Sequence, residues 1–268
     1  MTMRWFRKHL LTFAAMITLT ILLVPNLVVA IYSFNKPDGR FNYRLTKFSL
    51  DAWLHPCGTP GICQSLGLSL RIGITASIAA TILGTMIAFA LGRHRFHGRS
   101  ATNLLIFMPM ATPEVVMGSS LLALFLNIGM STGRTAILIA HIMFCLSFVV
   151  VAVKARVATL DPRLEEAAAD LGSTPVSTFL RITLPLAAPG IAAGALLAFS
   201  LSFDDYIITN FNASPDSITF PMYVWGAAQR GTPVQINVIG TIMFLVSVLV
   251  VVGGQLIATR RARAAAAG

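Results

Sequence analysis

Six stretches of this chain are long and apolar enough to cross a lipid bilayer, and no other feature limits its fold so tightly. A helix needs about 20 mostly apolar residues to traverse a hydrocarbon core of roughly 30 Å. Residues 10–32, 70–92, 104–126, 135–153, 189–208 and 236–258 all reach that length. Lipid offers the backbone no hydrogen-bond partners, so such runs predict an all-α integral membrane protein with six transmembrane helices. Composition agrees. Apolar residues make up 56% of the 268 and charged residues 11%, against roughly 25% charged in a soluble domain. That leaves too little polar surface to cover a water-exposed globule. Intrinsic disorder and a disulfide-dense scaffold are excluded by the same apolar content and by the presence of three cysteines.

The first run follows Arg4, Arg7 and Lys8, which invites reading it as a secretory signal. Its apolar length exceeds the roughly 7–15 residues of a signal core, so it reads as a retained helix. Six spans put both termini on one side. That side collects thirteen basic residues: Arg4, Arg7, Lys8, Arg93, Arg95, Arg99, Lys154, Arg156, Arg163, Arg181, Arg260, Arg261 and Arg263. The other holds six, Lys36, Arg40, Arg44, Lys47, Arg134 and Arg230, with Arg71 at the start of the second run. The excess places the first side, and both termini, in the cytoplasm. The net charge of +10 is then a topology device rather than the footprint of a nucleic-acid partner.

The organisation follows: a first helix and external loop over 1–65, a core with five spans over 66–258, and a cytoplasmic tail over 259–268 whose alanines are expected to fray. Cys57 and Cys63 fall in the external loop, in Cys57-Gly-Thr-Pro-Gly-Ile-Cys63. On an oxidising face they are placed for a disulfide, with free thiols as the alternative. No His or carboxylate accompanies them at ligand spacing, so no metal site is expected. Cys145, inside the fourth run, is expected to pack as a small apolar residue.

The informative connection is 154–188, on the cytoplasmic side and far longer than a bare helix–helix link requires. Asp161-Pro162 supplies an N-cap carboxylate and a first-turn proline. Glu165 and Glu166 follow where the helix dipole favours acid. Leu164, Ala167, Ala168 and Leu171 recur at helical spacing as one apolar face, and Gly172 stands where a helix would stop. Thr174-Pro175 then opens a second short helix, expected to end at Pro185 and Pro189. This capped pair suits a docking surface for another protein. The alternative is an interfacial helix on lipid headgroups, against which stand the acids Glu165, Glu166 and Asp170.

Glu166-Ala167-Ala168-x3-Gly172-x9-Ile182-x-Leu184-Pro185 resembles, at every position, the EAA loop of the membrane permease subunits of bacterial ABC importers. The resemblance extends over about 66–258. It implies a type I importer permease fold in the bacterial cytoplasmic (inner) membrane, with a coupling helix seated in a cytoplasmic ATPase. It also implies two ATPase subunits, a second and different permease, and an extracytoplasmic substrate-binding protein. Glu166 would contact the ATPase with Glu165 and Asp170 beside it, Ala167 and Ala168 would pack closely, Gly172 would permit the turn, and Ile182, Leu184 and Pro185 complete the motif. The chain has no phosphate-binding Gly-x4-Gly-Lys-Ser/Thr loop. No cofactor is therefore expected on it, ATP and Mg belong to the partner, and the subunit is a transporter component rather than an enzyme.

Ionisable groups within apolar runs are functional candidates. Glu114 falls about ten residues into the third run, roughly 15 Å deep along a straight helix, after Pro109 and Pro113. Asp204 and Asp205 fall near the outer end of the fifth, at a helix C-terminus that disfavours acids. Such placements suggest a cationic client, with Phe203, Tyr206 and Trp225 as cation–π partners. The alternatives are a Glu114–His141 pair or subunit packing, and aspartates that face the outside and meet the binding protein. Pro109-x3-Pro113-Glu114 and Ser202-Phe203-Asp204-Asp205 are similar to the spermidine/putrescine branch of these permeases, in its second membrane subunit. Related branches carry ferric iron, thiamine, opines or aminophosphonates. Two readings from other classes are weaker. An ion-coupled secondary transporter would show matched internal repeats, and an intramembrane hydrolase would need Ser147 and His141 on one helix face.

Overall fold

The computed structural model describes the backbone of residues 2–94 and 96–267. Arg95 of the basic 93–103 turn lies outside the described residues, as do the side chains of Arg4, Arg7, Lys8, Arg260, Arg261 and Arg263. The helices are α1 (Thr2–Tyr32), α2 (Asp51–Leu54), α3 (Ile62–Arg93), α4 (Arg99–Ala111), α5 (Glu114–Asn127), α6 (Arg134–Val157), α7 (Arg163–Asp170), α8 (Pro175–Thr178), α9 (Leu184–Asp204), α10 (Ile207–Asn212), α11 (Phe220–Arg230) and α12 (Val234–Ala267). A π-helical turn, Phe179–Thr183, joins α8 to α9. Strands β1 (Asn35–Lys36) and β2 (Lys47–Phe48) pair antiparallel, Asn35 opposite Phe48.

Among the described residues five helical stretches are each long and apolar enough to span a membrane: His9–Tyr32, Ile62–Arg93, Arg134–Val157, Pro175–Asp204 and Val234–Gly254. Helices α4 and α5 qualify only as a pair, bent by 109°, which makes up to six if the pair is one broken span. The third run is therefore not the straight span expected. Pro113 has no N–H to donate, and its ring crowds the preceding residue out of the helical region. Thr112 accordingly turns extended, with φ −83° and ψ 130°.

The fifth run also departs from expectation. Pro185 and Pro189 do not end a second short helix. Pro185 lies in the first turn of α9 and Pro189 inside it, so α8, the π-helical turn and α9 run on continuously. Pro185 has no N–H to give to the turn before it, and the π-helical turn Phe179–Thr183 lies directly ahead of it. Near the second proline, Arg156 Nε donates to the Leu186 carbonyl at 3.0 Å. Helix α9 stops instead at Asp204, and α10 begins at Ile207. The alanine tail expected to fray continues α12 to Ala267, in keeping with alanine's helix propensity.

The chain packs as two compact units. One combines Met1–Cys63 with Val224–Gly268. In it α1 lies along α12, Ala52, Val234 and Val238 form a small core beside Trp53, and Cys57 is disulfide-bonded to Cys63 with Cα atoms 5.4 Å apart. The apolar window of α1 is 0% buried, as suits a helix solvated by lipid.

The other unit is Gln64–Tyr223, and α6 is its centre, with 56% of its apolar window buried. Helix α6 packs along α9, where Ala140, Phe144, Val149 and Val153 meet Ala187 and Ala198. Cys145 is fully buried here, its thiol 3.3 Å from the Ala198 carbonyl. Lipid provides little hydrophobic drive between helices, so close backbone approach must supply the attraction. A Cβ at Gly190 would collide with Cβ and Cγ of Arg156. Gly190→Leu should therefore destabilise the unit by about 1–3 kcal/mol, read as a lower thermal midpoint in detergent. Gly226→Ala, where no heavy atom lies within 4 Å, is the control. Equal midpoints for the two variants would refute the close-packing account.

Candidate functional site

The 154–188 connection forms one end of the Gln64–Tyr223 unit. Asp161 Oδ1 accepts from the Arg163 N–H at 3.0 Å, and Pro162 already has helical dihedrals, φ −60° and ψ −27°. The other end of α7 closes with paired bonds: Ser173 N–H to the Ala168 carbonyl at 3.0 Å and Gly172 N–H to the Ala169 carbonyl at 2.9 Å. Both require the left-handed backbone of Gly172, at φ +79°. Open space surrounds the place a Cβ would take, so glycine answers a backbone demand there, not a contact. A side chain would cost about 1–2 kcal/mol. Thr174 Oγ1 then accepts from the Ser177 N–H at 3.3 Å and starts α8 with Pro175 in its first turn.

The face read from spacing as one apolar stripe divides in space. Ala168 is buried, whereas Leu164 and Ala167 are exposed and Leu171 is 90% exposed. Glu166, Asp170, Gly172 and Pro185 are also exposed, with Ile182 and Leu184 half-buried. Short α7 thus presents alternating acid and aliphatic groups outward. Glu165 points the other way. Its Oε1 accepts from Thr183 Oγ1 at 3.1 Å and lies 3.3 Å from Arg93 Nη2. Arg93 Nη2 also donates to the Leu160 carbonyl at 3.4 Å. One carboxylate therefore ties the end of α3 and the π-helical turn before α9 to α7. A pocket of about 390 Å³ opens beside this brace, between Phe89, His94 and Phe179.

The aspartate pair is split. Asp204 ends α9 and is exposed. Asp205 caps α10: Oδ1 accepts from the Ile208 N–H at 3.2 Å, and Oδ2 from the Thr209 N–H at 2.8 Å and Thr209 Oγ1 at 2.7 Å. His141 Nε2 lies 3.3 Å from Asp205 Oδ2 and 2.9 Å from Thr209 Oγ1, while Nδ1 is 2.7 Å from Ser202 Oγ. Thr209 has one proton and gives it to Asp205. A neutral ring must then carry its proton on Nε2 and accept from Ser202 at Nδ1. His141 is 1% exposed, and Ser202 and Thr209 are equally enclosed.

The expectation of two acids at a helix C-terminus thus describes Asp204. Asp205 serves a helix N-terminus, where negative charge is favoured by about 0.3–1 kcal/mol. His141 is held by this network rather than by Glu114 or Ser147. The network is the part that sequence reasoning missed. Its traces were a histidine inside an apolar run and an aspartate just ahead of a short polar helix, three residues before Ile208 and so within reach of its N–H.

Glu114 is exposed and is the first residue of α5, at the 109° break, so a depth counted along a straight helix does not apply. One turn on, Gly118 meets α10: Asn212 Nδ2 donates to the Gly118 carbonyl at 3.4 Å and to the Ile208 carbonyl at 2.8 Å. Phe203 is half-buried, its ring centroid 5.9 Å from Phe199 and 6.4 Å from Phe220. Tyr206 is half-buried before α10, and Trp225 is 56% exposed on α11. Among the described residues no group of three or more His, Cys, Asp or Glu could hold a metal ion.

The side chains of Arg93 and Glu165 are 17% and 35% exposed, so their ion pair should outweigh a fully solvated one. A double-mutant cycle with Arg93→Met and Glu165→Gln should give a coupling of about 1 kcal/mol in thermal or denaturant unfolding. A coupling indistinguishable from zero would rule out the brace.

Residues 80–264 match the family model for the "Binding-protein-dependent transport system inner membrane component". The chain is 34% identical over 237 residues to the spermidine/putrescine transport system permease protein PotC of Escherichia coli (strain K12), covering 88% of this chain and 89% of that one. It is 37% identical over 231 residues to the putrescine transport system permease protein PotI of the same organism, covering 84% and 82%. PotC of Haemophilus influenzae is 35% identical over 236 residues, covering 88% and 91%. The structure is similar to that of a bacterial ABC transporter involved in the import of the acidic polysaccharide alginate, with a TM-score of 0.67, 16% identity and coverage of 95% and 96%, a likeness of fold. With its apolar helices and this matched length, the chain belongs to the binding-protein-dependent transport system inner membrane components: it is a multi-pass inner-membrane permease subunit of an ABC importer, of the type I permease fold, and a transport protein rather than an enzyme.

Proposed function

We propose that the chain is one of two different permease subunits in an ATP-driven importer of polyamines such as spermidine and putrescine. The observation that carries the substrate is the 34–37% identity, over most of the chain, to relatives named for those two amines. The exposed acids support it, since a polycation leaving water needs carboxylates along its way. In this reading an extracytoplasmic binding protein delivers the amine, as a periplasmic protein is found bound to the alginate transporter. Two ATPase subunits holding ATP and Mg sit on the cytoplasmic side, where the excess of basic residues also puts both termini.

Transport then proceeds by alternating access. Helix α7 seats in the ATPase with Glu166, Ala167, Asp170 and Leu171 outward, while Ala168 packs beneath and the Gly172 turn sets its direction. The Glu165 brace passes displacement of α7 to α3 and, through Thr183, to α9. The Ile182-x-Leu184-Pro185 segment lies in the same continuous path. At the far end of α9, Asp204 offers a carboxylate to the ammonium groups, as Glu114 does at the α5 break. The rings of Phe203, Tyr206 and Trp225 are the cation–π partners proposed for the route.

The test is uptake of labelled spermidine into vesicles holding the whole complex, with and without internal ATP, competed by putrescine, thiamine, ferric iron, an opine and an aminophosphonate. ATP-dependent uptake blocked by putrescine is expected. Block only by another solute would discard the polyamine reading and keep the importer. Gly172→Leu should lower ATP-coupled uptake at least roughly fivefold, the factor for about 1 kcal/mol of lost coupling, with membrane insertion unchanged; normal uptake would remove α7 from the coupling path. Asp204→Asn and Glu114→Gln should each raise the half-saturating spermidine concentration about tenfold, the loss of one charge-assisted contact. Unaltered half-saturation would take that residue off the route.

A further inference from the structure

We propose that Asp205 does not touch the cargo but works as a positioning residue: with His141 it fixes the break between α9 and α10 and so aims Asp204 at the permeation route. This deepens the polyamine reading and rests on it. Two neighbouring aspartates in one short motif look interchangeable, yet the fold gives them different work. Asp205 accepts three hydrogen bonds, from the Ile208 N–H, the Thr209 N–H and Thr209 Oγ1, and His141 Nε2 lies 3.3 Å from its Oδ2. Together these occupy most of what a carboxylate can accept. It is 9% exposed, so a cation could reach it only by breaking the cap that starts α10. Asp204 is exposed.

The contacts around the break leave Asp204 little freedom of direction. His141 on α6 holds Ser202 of α9 and Thr209 of α10 at once, so one imidazole clamps both sides of the interruption. Asn212 fastens the other end of α10 to the Gly118 carbonyl of α5. Phe203, immediately before Asp204, is held between Phe199 and Phe220. Asp205 itself is extended, φ −63° and ψ 125°, which turns its side chain inward as its neighbour's faces out. A lost cap would let the first turn of α10 fray, loosen the link between α9 and α10 and let Asp204 wander, with no charge removed from the route.

Charge and shape can be separated by substitution. Asparagine caps a helix about as well as aspartate, whereas alanine does not. In vesicles holding the whole complex, Asp205→Ala should raise the half-saturating spermidine concentration about fivefold, the factor for a typical lost cap. Asp205→Asn should recover most of that, to within about threefold of the unsubstituted complex. Asp204→Asn should be as damaging as Asp204→Ala, since that residue works by charge. The proposal is overturned if Asp205→Asn weakens half-saturation as much as Asp204→Asn does, which would put the Asp205 charge itself on the route. It is also overturned if Asp205→Ala lowers only the amount of assembled complex and leaves half-saturation alone, the mark of a purely structural cap. If Asp205→Ala does not assemble, the comparison of Asp205→Asn with Asp204→Asn still decides. Lack of ATP-dependent spermidine uptake by the unsubstituted complex would defeat the polyamine reading instead, a result distinct from a wrong pattern among variants.

Discussion

Lipid supplies no hydrogen-bond partners, so every place where a spanning helix stops early must repair its own backbone from within the protein. That requirement explains where the polar residues of this chain sit. The third apolar run breaks because Pro113 cannot continue the ladder, and Thr112 closes the turn before it: its N–H and its Oγ1 both bond the Met108 carbonyl, at 3.0 Å and 2.7 Å. The fifth breaks after Asp204, and the freed donors at the start of α10 are taken by the Asp205 carboxylate. An unpaired buried polar group costs about 1–3 kcal/mol. Breaks of this kind therefore persist where side chains are built to satisfy them.

The same logic separates residues that a motif groups together. Glu165 and Glu166 are neighbours in the first turn of one helix, but a step of 100° per residue sends them to different environments. Glu165 meets Arg93 and Thr183 within the chain, and Glu166 faces outward. The first holds α7 against α3 and the start of α9. The second is free for a partner, as is Leu171 beyond it. A surface that transmits force needs both kinds of residue, since a docking face without an internal anchor would move alone.

Much of this was legible along the chain. Apolar run length is a one-dimensional property set by bilayer thickness, so the spans could be counted without coordinates. The cap at Asp161, the stop at Gly172 and the start at Thr174 are local as well, each depending on a residue and the backbone within four positions of it. The prolines were less transparent. Pro113 breaks its run while Pro189 rides inside α9, and the difference lies in what surrounds each one rather than in the residue.

By itself, then, the sequence determined that the chain spans a membrane with helices, where the 154–188 loop caps and turns, and which acids stand inside apolar runs. These are matters of length, local hydrogen bonding and hydropathy. The tertiary structure alone decided the roles within those sets: that His141 serves Asp205 and not Glu114, that Asp204 and Asp205 face apart, and that Glu165 braces while Glu166 projects. His141 is 64 residues from Asp205 and Arg93 is 72 from Glu165 along the chain. Contacts over such separations depend on how helices pack around Gly190 and α6, and no local spacing encodes them.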